Sequence, residues 1–100
     1  MIPAWYATMY IGMTSTARDH GYALAIHGSM QRDLDLIAVP WTANAVDREV
    51  LIEALVSRHG LIRITAKEPI KPHGRRAYSL SAGQDFYVDL SVMPRDAAEV

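Results

Sequence analysis

Apolar residues recur at every fourth position in the first part of the chain, which is the spacing of one face of an α-helix. This stripe consists of Trp5, Met9, Met13 and Ala17. Pro3 suits a first helical turn, and Gly21 suits the position just after a helix end. The pattern therefore predicts a helix from Pro3 to His20.

Two strands are predicted to follow this helix. Tyr22 to His27 is a short run that is apolar on both sides, as in a buried strand, and a Gly-Ser pair ends it. From Arg32 to Val39 the residues alternate, so that Asp33 and Asp35 lie on one side and leucines on the other. Pro40 ends this second strand.

A second helix is predicted from about Ala45 to His59, with a wide apolar face. Asn44 is the expected N-cap, and Asp47 is expected to favour the helix N-terminus through its negative charge. At the other end, His59 is expected to favour the helix C-terminus as a cation, and a glycine follows as a stop signal.

The remainder of the chain alternates in the manner of strands. The expected strands are Leu61 to Lys67, Arg75 to Ser81 and Asp85 to Met93, with a hairpin turn over Ser81 to Gln84. The element order α-β-β-α-β-β-β predicts an α+β fold. In this fold a mixed sheet of about five strands carries two helices packed on one face and leaves the other face partly open.

Composition limits the classes of protein that fit this pattern. The 100 residues suffice for one domain, which we expect over residues 1–94, followed by a flexible C-terminal tail over 95–100. Ten basic residues against 11 acidic ones argue against a generic nucleic-acid binder. The absence of cysteine excludes disulfides, thiolate zinc sites and cysteine nucleophiles. No apolar run reaches the length of a membrane span, so we expect a cytoplasmic protein.

Three aspartates are the candidate catalytic and metal-binding residues. Asp33 and Asp35 are two positions apart on a predicted strand, which directs both carboxylates to one side with Cα atoms roughly 6.5–7 Å apart. Asp89 on a later strand is the candidate third carboxylate. Such a trio would repel itself without a cation, and carboxylate oxygens suit Mg²⁺ or Mn²⁺.

Several residues are candidates for binding the phosphates of a nucleotide. Glycine permits close approach of the backbone to a ligand, and a serine hydroxyl or a basic side chain can bind a phosphate oxygen. The candidates are Gly28, Ser29, Arg32, Lys67, His73 and Arg75.

These residues resemble the DNA polymerase β-like nucleotidyltransferase superfamily. The resemblance rests on a strand that ends in Gly28-Ser29, an Asp-x-Asp strand at Asp33 and Asp35, a helix, and a later strand with Asp89. It implies that the Gly-Ser pair contacts nucleotide phosphates and that the three aspartates bind metal. The implied activity is metal-assisted transfer of a nucleoside monophosphate, with the third aspartate helping to activate the attacking hydroxyl.

The connection between the two motifs is shorter than in that superfamily, because only Met30, Gln31 and Arg32 separate Ser29 from Asp33. The chain also resembles small proteins of phages and prophages in its pattern Gly-Tyr-Ala-Leu-Ala-Ile-His-Gly-Ser followed by Asp-Leu-Asp-Leu-Ile-Ala-Val-Pro-Trp. The short connection favours a second hypothesis. The protein would then be a non-catalytic module of phage origin that engages a host protein or a nucleotide signal in the host cytoplasm.

Each candidate also has a purely structural interpretation. Alternating Asp and Leu is typical of an edge strand with one solvated face. The sequence supports this structural interpretation about as well as it supports a functional site. A Gly-Ser pair is more often a simple turn. The basic residues from Lys67 to Arg76 are most often a solvated rim. The sequence therefore predicts the fold class and nominates the aspartates, and the spatial arrangement of the aspartates decides their role.

Overall fold

The computed structural model describes residues 2–28, 33–64 and 70–96. Two α-helices and six strands follow one another along the chain, with a short 3₁₀ turn at Pro72–Gly74. In chain order they are α1 (Ile2–Asp19), β1 (Tyr22–His27), β2 (Leu34–Pro40), α2 (Arg48–His59), β3 (Ile62–Ile64), β4 (Ile70–Lys71), β5 (Arg75–Gly83) and β6 (Phe86–Val92).

Five of the strands form a mixed sheet in the order β1-β2-β6-β5-β3, and the two-residue β4 also pairs with β5. β2 and β6 run parallel, whereas the other described pairs are antiparallel. The parallel pair lies in the middle of the sheet. It joins two strands that are distant in sequence, and it is the part of the fold on which the candidate site depends.

Alternation along the central strands places one face of the sheet in the core. Leu34 and Leu36 of β2 lie beside Val88 and Leu90 of β6, and all four are fully or almost fully buried. Tyr6 and Met13 of α1 and Leu51, Ile52 and Leu55 of α2 belong to the same cluster. The α+β class with two helices and a five-stranded mixed sheet is therefore confirmed.

Helix α2 begins later than the sequence predicts. Its N-cap is Asp47, whose carboxylate accepts a hydrogen bond from the Glu49 backbone N–H, and the predicted cap Asn44 lies outside the helix. Val46 instead donates its backbone N–H to the carbonyl of His20, which ties this segment to the end of α1. The predicted stop is confirmed, since Gly60 adopts a left-handed conformation and its N–H bonds to the Val56 carbonyl.

The hairpin turn also lies further along the chain than predicted. β5 continues to Gly83, which pairs with Phe86, so the two turn residues are Gln84 and Asp85. Both have positive φ, as in the turns that match the twist of two-residue hairpins. An irregularity in register between Ser81 and Gly83 accommodates one extra residue in β5. This correction leaves Asp89 well inside β6.

The other strand boundaries agree closely with the predictions where the structure describes them. β1 has the predicted bounds, and β2 begins at Leu34, so that Asp33 immediately precedes it. β3 covers the first part of the strand predicted from Leu61, and residues 65–69 lie outside the described part of the chain. In the described part of the chain, neither helix has the length and hydropathy that a membrane span requires.

A polar cluster on the helix-covered side joins α2 to the sheet. Arg63 makes two hydrogen bonds to the Glu49 carboxylate, at 2.8 and 3.1 Å, and its guanidinium lies over the ring of Tyr78 at 5.1 Å. The Tyr78 hydroxyl donates to the same carboxylate at 3.2 Å. The hydrogen bond from Arg63 is the main cause that lowers the pKa of Glu49.

Candidate functional site

A row of polar residues crosses the sheet face that lies opposite the helices. His27 of β1 pairs with Asp35 of β2, Asp35 pairs with Asp89 of β6, and Asp89 pairs with Ser79 of β5. Residues that are directly paired on neighbouring strands point to the same side of a sheet, and neighbouring strands lie about 4.8 Å apart. The parallel pairing of β2 and β6 therefore brings two of the three predicted aspartates side by side.

Asp33 joins this pair at the beginning of β2. Its negative charge is, after burial, the next cause that raises the pKa of the Asp89 carboxyl. On the other side, the Ser79 hydroxyl donates a hydrogen bond of 3.3 Å to Oδ1 of Asp89. Asp89 thus lies at the centre of the cluster, with Asp33 and Asp35 on the β2 side and the Ser79 hydroxyl on the β5 side.

The electrostatics of Asp89 reflect this placement. Burial, and then the negative charges of Asp33 and Asp35, raise the pKa of the Asp89 carboxyl, while the hydrogen bond from Ser79 acts in the opposite direction. The same three carboxylates add to the effect of burial in raising the pKa of Tyr6, which lies in the core. The cluster is therefore a region of accumulated negative charge at the edge of the core.

Gly28 lies directly against this cluster. It has a φ of +79°, and a Cβ atom on it would come within 2.6 Å of Oδ2 of Asp35. A side chain at position 28 would have to displace that carboxylate. The glycine of the Gly-Ser pair therefore lets the chain pass close to Asp35 as β1 ends.

Positive charge is scarce around the aspartates in the described residues. Among the described residues, Asp35 makes no ion pair, although the exposed His27 is its direct neighbour. Arg75 belongs to the same sheet face but lies two same-face positions beyond Ser79, about 13–14 Å along β5. Its Nε donates to the Pro72 carbonyl.

Of the remaining predicted phosphate-binding residues, the structure describes only His73. His73 is exposed in the 3₁₀ turn with a positive φ. Ser29, Arg32 and Lys67 lie outside the described residues. Of the six residues nominated for the nucleotide, the structure places Gly28 at the carboxylates and Arg75 and His73 farther away.

The donor set suits a hard divalent cation, because it consists of carboxylate oxygens that form no ion pair with any described basic side chain. It is not a complete metal cage. Within 2–28, 33–64 and 70–96, no three or more His, Cys, Asp or Glu side chains are grouped so as to hold a metal ion. Asp33, Asp35 and Asp89 would supply some of the ligands, and water or a ligand phosphate would have to supply the others.

Sequence reasoning missed the role of Ser79. Its position on β5 has the same parity as Ala77 and Ser81, and only the register of the β5–β6 hairpin reveals that it faces Asp89. The predicted turn lies two residues too early. The correct turn at Gln84 and Asp85 would by itself pair Ser79 with Leu90, and the register shift between Ser81 and Gly83 is what places Ser79 opposite Asp89.

Neither a protein-family model nor a curated protein matches the sequence. The geometry of the open sheet face therefore carries the functional argument.

Proposed function

We propose that the protein is a minimal nucleotidyltransferase-like domain that binds a nucleotide through a divalent cation, Mg²⁺ or Mn²⁺, on the open face of its sheet. The observation that carries this proposal is the direct pairing of Asp35 with Asp89 on parallel strands, with the negative charge of Asp33 acting on the same carboxyl. A cation between these groups removes their mutual repulsion, which is the cause of the raised pKa apart from burial.

The nucleotide completes the site in this proposal. Since the described residues do not form a preformed cage, the cation retains water molecules or takes phosphate oxygens as further ligands. Ser79 orients Asp89 through its hydroxyl, and Gly28 lets the backbone pass close to the Asp35 carboxylate. The cation alone should therefore bind weakly, and the cation with a nucleotide should bind more tightly.

Catalysis is the further step of the proposal. When bound, the cation would polarise the phosphoryl group, and Asp89 would help to activate the attacking hydroxyl, as the resemblance implies. The expected reaction is transfer of a nucleoside monophosphate with release of pyrophosphate.

A non-catalytic module is the second candidate. It is favoured by the incomplete ligand group among the described residues. In this case the protein binds a nucleotide signal at the same face, or a host protein, without turnover. Pyrophosphate release separates this candidate from the first.

The test is a set of melting curves with ATP, GTP, CTP or UTP, each with and without Mg²⁺. Binding at 100 times the dissociation constant stabilises the folded state by about 2.7 kcal/mol, so a nucleotide with Mg²⁺ should raise the melting temperature by several degrees. Asp35→Asn should abolish this increase, and Glu53→Gln, an equivalent change at an exposed position of α2, should retain it. Equal melting temperatures of the wild type in all conditions would contradict both nucleotide proposals.

A further inference from the structure

The outer edge of β1 carries backbone hydrogen-bonding groups that no described strand pairs with. Among the described strands, β1 pairs only with β2, so every second residue of β1 directs its N–H and C=O away from the sheet. Gly21 accepts a hydrogen bond from the Trp41 N–H, which shows that the odd-numbered positions face β2. The backbone groups of Leu24 and Ile26 therefore face outward.

Helix α1 runs beside this edge and forms the second wall of a groove. Tyr10, Thr14 and Arg18 are spaced by four residues and lie on one face of α1. Together with the edge of β1 at Leu24 they enclose a cavity of about 360 Å³, and Trp41 also lines it. The indole of Trp41 is 78% exposed.

Three polar groups on the helix wall are positioned for a ligand. The Tyr10 hydroxyl donates a hydrogen bond of 2.9 Å to the outward-facing carbonyl of Leu24, so the N–H of an added strand would share this acceptor or displace the hydroxyl. Oγ1 of Thr14 is buried and has no hydrogen-bond partner in the described part of the chain. Arg18 is exposed, and no described acidic side chain forms an ion pair with it.

We propose that this groove binds an extended segment of another protein as an additional strand on β1, with an Asp or Glu side chain of that segment paired to Arg18. Main-chain hydrogen bonds to Leu24 and Ile26 supply affinity in this mode, and pockets for alternate side chains supply specificity. Charge complementarity identifies the partner as acidic, because Arg18 is the charged group in the groove wall. Trp41 covers an apolar side chain of the segment.

A second copy of this chain fits the groove poorly. The strand that it would contribute, Tyr22–His27, contains no acidic residue to pair with Arg18. A two-fold axis beside β1 would also bring the two α1 helices together on the same side of the sheet, since Tyr10 of α1 already reaches the edge. The occupant is therefore a different chain.

The experiment uses the full chain, immobilised, and three pools of hexapeptides. One central position is fixed as Glu, Gln or Lys, and the other positions are mixtures of Val, Ile, Thr, Tyr and Ser. A charge-assisted hydrogen bond is worth about 1.5–3 kcal/mol, so the Glu pool should be retained roughly tenfold or more above the Lys pool. Arg18→Glu should reverse this preference and Arg18→Gln should abolish it, whereas Arg58→Glu, a charge reversal on α2, should preserve it.

A backbone experiment tests the strand addition separately. Two N-methylated forms of the best retained peptide are compared, one methylated at its odd-numbered residues and one at its even-numbered residues. Methylation of the set whose N–H groups face β1 should abolish binding, and methylation of the other set should not. The amide signals of Leu24 and Ile26 should shift on titration with the unmodified peptide. Equal retention of the three pools, insensitivity to both methylation patterns, or a dimer in solution that occupies the β1 edge would each overturn the proposal. Melting curves establish that the Arg18 variants fold.

Discussion

Replacement of Asp89 by asparagine should stabilise the protein in the absence of a divalent cation. The carboxyl has a raised pKa in the folded state because of burial and then because of Asp33 and Asp35. A raised pKa means that the folded state binds the proton more tightly than the unfolded state. Stability from this group is therefore present at low pH and is lost as the pH rises through the folded pKa.

The magnitude follows from the separation of the paired strands. Two unit charges about 5 Å apart repel by about 0.8 kcal/mol in water and about 3 kcal/mol at an effective dielectric constant of 20. Asp35 and Asp89 are both partly exposed, so solvent screening favours the lower part of this range. We expect a gain of about 1 kcal/mol for Asp89→Asn, which corresponds to a melting temperature roughly 4–8 °C higher for a domain of this size.

The assay is thermal unfolding by circular dichroism in EDTA at pH 8 and at pH 4. The advantage of Asp89→Asn should be largest at pH 8 and should shrink at pH 4, where the wild-type carboxyl becomes protonated. Glu53→Gln removes an exposed carboxylate outside the cluster and should change the melting temperature little at either pH. A variant that is equally stable or less stable than the wild type at pH 8 would refute the argument that the three carboxylates repel one another.

Three further predictions concern the fold around the site. Burial and then Arg58 lower the pKa of His59. The contribution of neutral His59 to stability is therefore fully present above about pH 6.5 and is lost as the pH falls through the folded-state pKa. His59→Gln should flatten this decline in melting curves measured from pH 7.5 to 5. Gly28→Ala should lower the melting temperature more than Gly83→Ala, because both glycines have positive φ but only the first lies against a carboxylate, and equal losses would show that the contact is unimportant. Arg63→Ala should cost about 1–2 kcal/mol in urea unfolding through loss of its ion pair and its ring contact, and a cost near zero would contradict this.

The sequence predicts the elements well because periodicity is a local signal. The stripe from Trp5 to Ala17 predicts the buried face of α1, and the alternation in β2 predicts the buried face of that strand. Both predictions are confirmed. The errors occur where long-range contacts override local preference. Asn44 is an acceptable cap in isolation, but it lies in a turn that the Ala45 N–H closes on the Thr42 carbonyl. The next N–H, that of Val46, bonds to His20, so the helix has Asp47 as its cap.

The sequence pattern does not predict which strands pair with one another. The alternation in β2 and β6 predicts which side Asp35 and Asp89 occupy within each strand, but it contains no information on which strands are neighbours or in which register. The environment of His59 is a similar case. Its place in the last turn suggests a cation at the helix end, whereas burial lowers its pKa and Nε2 makes a 2.8 Å hydrogen bond with Oγ1 of Thr16.

The parallel pairing of β2 with β6 has a consequence for biosynthesis. Asp35 emerges from the ribosome well before Asp89, and the two strands become neighbours only after α2, β3 and the β5–β6 hairpin have been synthesised. Parallel contacts between distant segments form slowly, since a long loop must close first. A nascent or truncated chain that ends before β6 therefore has β1 and β2 but lacks Asp89 and the paired carboxylates. Ligand binding at this face would therefore require that the whole domain has been synthesised and folded.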